Sequence, residues 1–404
     1  MQIKSALFTI FLISAFTWVV EGQTIKTGVL VIGHGSNAVG AGLQSAVSGV
    51  KTIFLTQEPD LTIAPLDQNI NSGLEADFLK RIRLFKGIKD STAKVQVDAV
   101  SANAVLKSWT DSTKNLTVMR NLKWSRIKRS GNNWNVLLAD GRTIKAEVLV
   151  NADGTGNVAE ALGLPVSGIQ LWRPLSYQTN DYRLSIAAGY NLNKTTGNII
   201  PLFNFIRPDQ ENLIVLDRTN ESLAAGQAGG ATAAYAVFFR TKTSLSAIKP
   251  IQKELINYKL AVIPFKDIAH NDPNWKAIQY LGLSGFLKGT LTDGAVNFMP
   301  EQVVSTKEIT QPIKEFYYKA QIWFDDYKEE NMSLGAVISM VSTVGNKAVE
   351  QTKNDIKKKW AAQYHFKGEF DLNRPVSRRE FAVLVDEYLK PFNVTVDHTG
   401  RVIR

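Results

Sequence analysis

The chain has 404 residues, 44% hydrophobic and 21% charged, with 28 glycines and 13 prolines. These proportions exclude disorder and collagen-like order as the main state, and at roughly 150 residues per domain they predict two or three folded units. Zero cysteines exclude disulfides and thiolate sites, and the net charge of +10 suits anionic glycan, lipid or nucleic acid.

Lys4 precedes an apolar run from Ala6 to Val20, which Glu21 and Gly22 end. The segment 1–22 reads as a signal peptide cut before Gln23. A membrane anchor is the alternative, although the run is short for a span of about 20 residues. No later run reaches that length. The mature chain is expected outside the cytoplasm, periplasmic or extracellular, with no integral span. Export argues against nucleic acid as a partner.

Thr27–Ile32 is a β-branched apolar run that predicts a buried strand, broken by Gly33–Gly35. Small residues from Ala38 to Ala46 predict a closely packed helix, and Thr52–Leu55 a second strand. Together they make a βαβ unit. Ala76–Lys86 and Val95–Trp109 have helical spacing. Four strand-like stretches follow: Leu116–Met119, Lys123–Arg129, Trp134–Leu138 and Ala146–Val150. Asp140-Gly141 among them is a strong hairpin signal. They predict a β meander inserted into the α/β pattern. Residues 164–212 give no clear pattern; Leu213–Leu216 predicts a strand and Ala224–Ala236 a helix. Beyond Arg240 the composition turns to Lys, Glu and aromatic residues at helical spacing. The expected division is an α/β domain over 23–240, a linker helix over 241–270 and a helical domain over 271–404. Within the last, Asn297–Glu301 and Phe370–Pro375 look alike and read as two copies of one small unit.

Three motifs carry chemistry. Gly33-His34-Gly35-Ser36-Asn37-Ala38 is G-x-G-x-x-A directly after a strand. The first glycine makes the turn, the second admits a pyrophosphate, and the small third residue lets helix and strand pack. The helix N-terminus then offers free amides to the phosphates. The acid that would bind ribose is missing: Thr56 and Gln57 end the second strand. Glu58 serves in its place or stands as a solvated loop residue; the sequence leaves both open. Asn151-Ala152-Asp153-Gly154-Thr155-Gly156 is a second strand-to-glycine turn. Ala225-Gly226-Gln227-Ala228-Gly229-Gly230-Ala231-Thr232-Ala233-Ala234, after the strand Leu213–Leu216, is a helix whose small side chains suit either a ligand or a neighbouring helix. The four histidines, His34, His270, His365 and His398, show no zinc-ligand spacing, so no metal site is expected.

In this order the motifs resemble the glutathione-reductase-like flavoproteins, and most of all the exported bacterial FAD-dependent oxidoreductases labelled xanthan lyase-like. The likeness covers 27–165 and 205–240. It implies a Rossmann-like FAD-binding domain with a parallel sheet, and FAD as cofactor. Gly33, Gly35, Ser36, Asn37 and Ala38 would then hold the diphosphate, with Glu58 toward the ribose. Asp153, Gly154 and Gly156 form the second motif. Gly226, Gln227 and Ala228 point a helix N-terminus at the flavin. The C-terminal part resembles S-layer-homology repeats, which implies a cell-wall polymer as a possible partner.

The implied activity is hydride transfer from an organic substrate to FAD. The alternative is a non-catalytic descendant that binds nucleotide or glycan in the cell envelope. No catalytic residue stands out; Tyr182, Arg183 and Arg218 are candidates by position alone. Trp275, Trp323 and Trp360 permit glycan contact, but such residues are more often packing residues. Lys357–Lys359 reads as a solvated helix face.

Overall fold

In the computed structural model the β-branched run Thr27–Ile32 lies in the middle of a sheet. Residues 23–403 are described, apart from 68, 91–94, 166–169, 191–192, 208 and 217–218. The expected leader at 1–22 and Arg218 therefore lie outside the described residues.

Strand β1 (Thr24–Gly33), helix α1 (Ser36–Val47) and strand β2 (Thr52–Leu55) form the expected βαβ unit. Helices α2 (Gly73–Phe85) and α3 (Ala99–Ser112) follow. The second begins later than its periodicity predicts because Asp98 caps it, its carboxylate accepting the Ser101 N–H at 2.8 Å. Strands β3 (Leu116–Met119), β4 (Trp124–Ser130), β5 (Asn133–Leu138) and β6 (Thr143–Ala152) come next. The sheet order is β3-β2-β1-β6-β5-β4, with β1, β2, β3 and β6 parallel. Val29 to Ile32 are buried on both faces, which is why that strand reads as continuous rather than alternating.

The meander is antiparallel, and its last strand is also central. The first half of β6 lies between β1 and β5, with Ala146 opposite both Thr27 and Trp134. Its second half lies between β1 and a later strand that pairs Leu213 with Leu149. The short helix α4 (Asn157–Ala161) follows β6.

The unread stretch folds as a small antiparallel sheet. Its strands are β7 (Arg173–Pro174), β8 (Ser185–Gly189) and β9 (Asn198–Pro201), in the order β7-β9-β8. They are too short to set up an alternation. Ile186, Ala187 and Ile200 join the α/β core, while Leu175, Ala188 and Ile199 join the C-terminal core. The little sheet thus belongs to both halves. Strand β10 (Leu213–Val215) and helix α5 (Leu223–Phe238) complete the α/β part. Helix α6 (Ile248–Asn257) lies in the predicted linker, yet Ile251 and Leu255 are buried in the α/β core.

The C-terminal half holds α7 (Trp275–Ser284), the β11 (Thr290–Thr292) and β12 (Ala295–Asn297) hairpin, α8 (Thr306–Phe316) and α9 (Lys319–Asp326). It ends with α10 (Leu334–Val344), α11 (Val349–Lys359) and α12 (Arg378–Tyr388). The sequence suggests two repeated units; the structure has three equivalent segments. Val304 donates its N–H to the Val376 carbonyl at 3.0 Å, Val376 to Met332 at 2.9 Å, and Met332 to Val304 at 3.0 Å. The three side chains are fully buried. Each segment runs into a serine N-cap, Ser305, Ser333 or Ser377, that starts α8, α10 or α12. The first and third add a capping box through Glu308 and Glu380. The middle copy has no such acid, which hides it from a sequence comparison.

Trp275 and Trp360 are core residues, and Trp323 is half-buried, stacked on Tyr327. In the Lys357–Lys359 run, Lys359 is paired with Asp355 at 2.6 Å and Glu387 at 2.5 Å. Among the described residues no helix is long and apolar enough to cross a membrane, and no group of three or more acidic or histidine side chains is placed to hold a metal.

One acid on α12 gives this half a pH signature. Burial pushes the Asp386 carboxyl up to about 7; Lys276 and Lys390 pull it down and Glu387 pushes it up. The folded chain keeps a proton there that an unfolded one loses near pH 4. The stability it contributes is complete below that pH and is lost as pH rises through about 7, on the order of a few kcal/mol. Asp386→Asn is expected to remove that loss. Urea midpoints between pH 5 and 8 that fall equally for wild type and variant would refute the assignment.

Candidate functional site

The glycine turn sits where the chain order of the sheet reverses. From β1 the chain builds outward through β2 and β3, then returns to place β6 on the other side. Ligands of open α/β sheets bind at the carboxyl ends of the strands at such a switch point. Gly33–Gly35 lies at the end of β1, and Asp153–Gly156 at the end of the neighbouring β6, with Gly33 opposite Ala152. The structure brings the first two motifs together as their order suggests.

Gly35 is the N-cap of α1, and no side chain of that helix caps its amides. The acceptor comes from elsewhere. Glu221 approaches from just before α5, and its Oε2 accepts the Ser36 N–H at 3.1 Å. A Cβ on Gly35 would fall 1.9 Å from that oxygen, and one on Gly154 would lie 3.8 Å from Glu221 Oε1. The carboxylate therefore rests on glycine 35 between the two turns, at an end of α1 that carries partial positive charge. Burial raises the Glu221 carboxyl above its ordinary range; the Ser36 hydrogen bond and the His34 charge act the other way.

The chain also covers the turn. Thr62 donates its N–H to the His34 carbonyl at 3.0 Å, and Ala64 to Ser36 Oγ at 2.7 Å. Asn37 Oδ1 accepts the Ser222 N–H at 3.1 Å, which ties the start of α5 to the start of α1. Ser36 and Asn37 are each 1% exposed, and Ala38 is buried.

The other motif residues have definite places. Glu58 is exposed beyond β2, its backbone N–H bonded to Thr56 Oγ1 at 3.1 Å. Asp153 closes its own turn: Oδ1 accepts from Thr155 N–H at 3.0 Å and Oδ2 from Val158 N–H at 3.0 Å. Gly156 is the N-cap of α4 with φ of 89°. Gly226 faces α1, where a Cβ would meet the Asn37 carbonyl at 2.3 Å. Gln227 is buried, accepting from Leu74 N–H at 3.0 Å and donating to Gln44 Oε1 at 2.9 Å. Ala228 is likewise fully buried. The third motif thus packs α1 against α5, and the side chain near it that reaches the glycine turn is Glu221.

Tyr182 and Arg183 are not at the turn. Tyr182 packs in the C-terminal core, and the Arg183 guanidinium is held by Glu315 of α8 at 2.8 and 2.9 Å. Sequence reading passed over Glu221. Its signal is an acid directly before Ser222, the N-cap of the third glycine-rich helix.

No family model matches the chain, and no curated protein matches it. Among solved structures, a flavoprotein/dehydrogenase from Cytophaga hutchinsonii shares 13% identity over 64% of this chain and 86% of its own, at a TM-score of 0.34. AlpK shares 12% over 63% and 73%, at 0.32. Aquifex aeolicus GidA shares 20% over 33% and 25%, at 0.23. The chain spans a quarter of the GidA length, so the fold is read from its own strand order: a mixed α/β, Rossmann-like sheet with a mostly helical C-terminal half.

Proposed function

We propose that this chain is an FAD-binding flavoprotein, an oxidoreductase that takes a hydride from an organic substrate. The observation that carries the reading is the anion already held at the glycine turn. The Glu221 carboxylate lies on Gly35 and against the first amide of α1, at the switch point between β1 and β6. This amide and the space over Gly35 fit one phosphoryl group of a diphosphate, and the carboxylate stands in its place. In the bound state the Gly35–Ser36 backbone would hold the diphosphate, with Gly154 across from it. FAD would supply hydride acceptance, and this chain would supply position and exclusion of water by the 58–64 loop.

A second reading is supported by a specific observation. Ser36 is buried with its Oγ bonded to Ala64 of that loop, Asn37 is buried against the start of α5, and an internal acid fills the cradle. A non-catalytic descendant of the flavoprotein fold, binding nucleotide or glycan, is consistent with that closure. The visible spectrum separates the two. A yellow protein as isolated, or one that turns yellow with added FAD and absorbs at about 450 nm, supports the first. A protein that stays colourless after dialysis against FAD supports the second.

We infer export from the apolar segment at 6–20, which follows Lys4 and ends at Glu21-Gly22. The three-copy C-terminal unit, which resembles S-layer-homology repeats, is proposed to hold the protein at the cell envelope through a wall polymer.

A further inference from the structure

Glu221 combines two properties that seldom meet in one side chain. Its backbone is pinned, because the next residue, Ser222, donates its N–H to Asn37 Oδ1 at 3.1 Å and caps α5 through its hydroxyl, which accepts the Ala225 N–H at 3.0 Å. Its carboxylate is free to turn about three side-chain bonds and is only part-buried. The acid is thus tethered beside the α1 N-terminus without being locked there. Gly35 leaves room for it and Gly154 borders it, while Ser36 supplies the amide.

An incoming anion needs the same amide and the same space over Gly35. Two anions at one helix N-terminus repel, and one hydrogen cannot serve both. We propose that Glu221 is an internal ligand of the diphosphate site, occupying it when no nucleotide is present and admitting only an anion able to expel it. This rests on the reading of the glycine turn as a dinucleotide site, and it deepens that reading by assigning selectivity to one residue. A monophosphate or a carboxylate offers the amides little more than Glu221 already does. A diphosphate brings a second charged group that reaches donors Glu221 does not use. The acid therefore acts as a threshold in favour of diphosphates. Its departure also leaves the loop at 58–64 unaltered, since Thr62 and Ala64 bond to His34 and Ser36 rather than to Glu221.

The test compares wild type, Glu221→Gln and Glu221→Ala in the full chain by calorimetry with ADP and with inorganic phosphate, and by flavin fluorescence quenching with FAD. ADP and FAD are expected to bind Glu221→Ala at least about tenfold more tightly than wild type, with Glu221→Gln between them. Inorganic phosphate is expected to bind Glu221→Ala and not wild type. Without ligand, Glu221→Ala is expected to melt below wild type, and ADP to restore it, a readout independent of turnover. Gly35→Val locates the binding, since the atoms nearest a Cβ there are those of the movable Glu221 carboxylate; it is expected to abolish ADP binding in either background. If wild type and Glu221→Ala bind ADP equally and Gly35→Val removes both, the dinucleotide site stands and the role of Glu221 is overturned. If no variant binds ADP or FAD, both assignments fall together.

Discussion

Arg183→Met is expected to destabilise the fold by about 2–4 kcal/mol, the cost of leaving the Ser284 and Gly400 carbonyls without their donor, while Glu315, 38% exposed, turns to water. The guanidinium is 3% exposed, in the turn that leads into β8. It grips both Glu315 oxygens, donates to the Gly400 carbonyl at 3.1 Å and to the Ser284 carbonyl at 3.3 Å. It also lies over the Phe316 ring, 5.1 Å from the centroid. One side chain thus joins the small sheet, the end of α7, α8 and the C-terminal tail. Methionine fills the volume and meets none of the four acceptors. Lysine would not rescue it, since a single ammonium lacks the planar fork that serves a carboxylate and two carbonyls at once. Part of the loss is offset nearby. Burial and the Arg183 charge push Lys249 down to about 7. Removing the arginine already relieves Lys249, so Lys249→Met gains less in that background, and the double change is expected to cost more than the two single changes summed. Urea unfolding of the four proteins measures this. An Arg183→Met midpoint within error of wild type would show that the pair contributes nothing.

Two glycines three residues apart in α5 are expected to respond oppositely to alanine. At Gly226 the new Cβ would lie 2.3 Å from the Asn37 carbonyl and 3.0 Å from the Ala41 nitrogen. Both are backbone atoms of α1, so the helices must separate, and Gly226→Ala is expected to cost about 3 kcal/mol, near the upper end for overpacking. At Gly229 the Cβ would meet the Leu216 methyl Cδ2 at 2.9 Å, the far end of a movable side chain. There the gain of about 0.5–1 kcal/mol from replacing a mid-helix glycine offsets the crowding, and Gly229→Ala is expected to be close to neutral. Thermal melts of the two variants check the pair. Equal losses would mean that helix propensity rather than contact between α1 and α5 sets the cost. The shift at Gly226 also bears on the site, because Asn37 holds Ser222 and through it Glu221.

Much of the α/β part was legible because local signals and the fold agree there. The run from Thr27 to Ile32, the small residues of α1 and the Asp140-Gly141 hairpin each specify their element without tertiary help. What escaped depends on neighbours distant in sequence. The small sheet has a strand of two residues, Arg173–Pro174, that exists only by pairing with β9. The doubled role of β6 is invisible because its burial pattern switches midway, alternating to Glu147 and continuous after Val148. At the site, the positions of Gly33, Gly35, Asp153 and Gly154 followed from motif order, since the parallel sheet aligns the ends of β1 and β6. Glu221 did not, because its meeting with Ser36 spans 185 residues. Glycines of the third motif were ambiguous for a physical reason: absence of a Cβ serves a ligand and a neighbouring helix alike.

The triangle of Val304, Met332 and Val376 limits how this half of the molecule can grow. In a solenoid each repeat leaves a bare end for the next, and length is open. Here each segment gives its amide to one neighbour and its carbonyl to the other, so the cycle has no terminus and no vacant edge for strand addition. A fourth copy would have to break in rather than append.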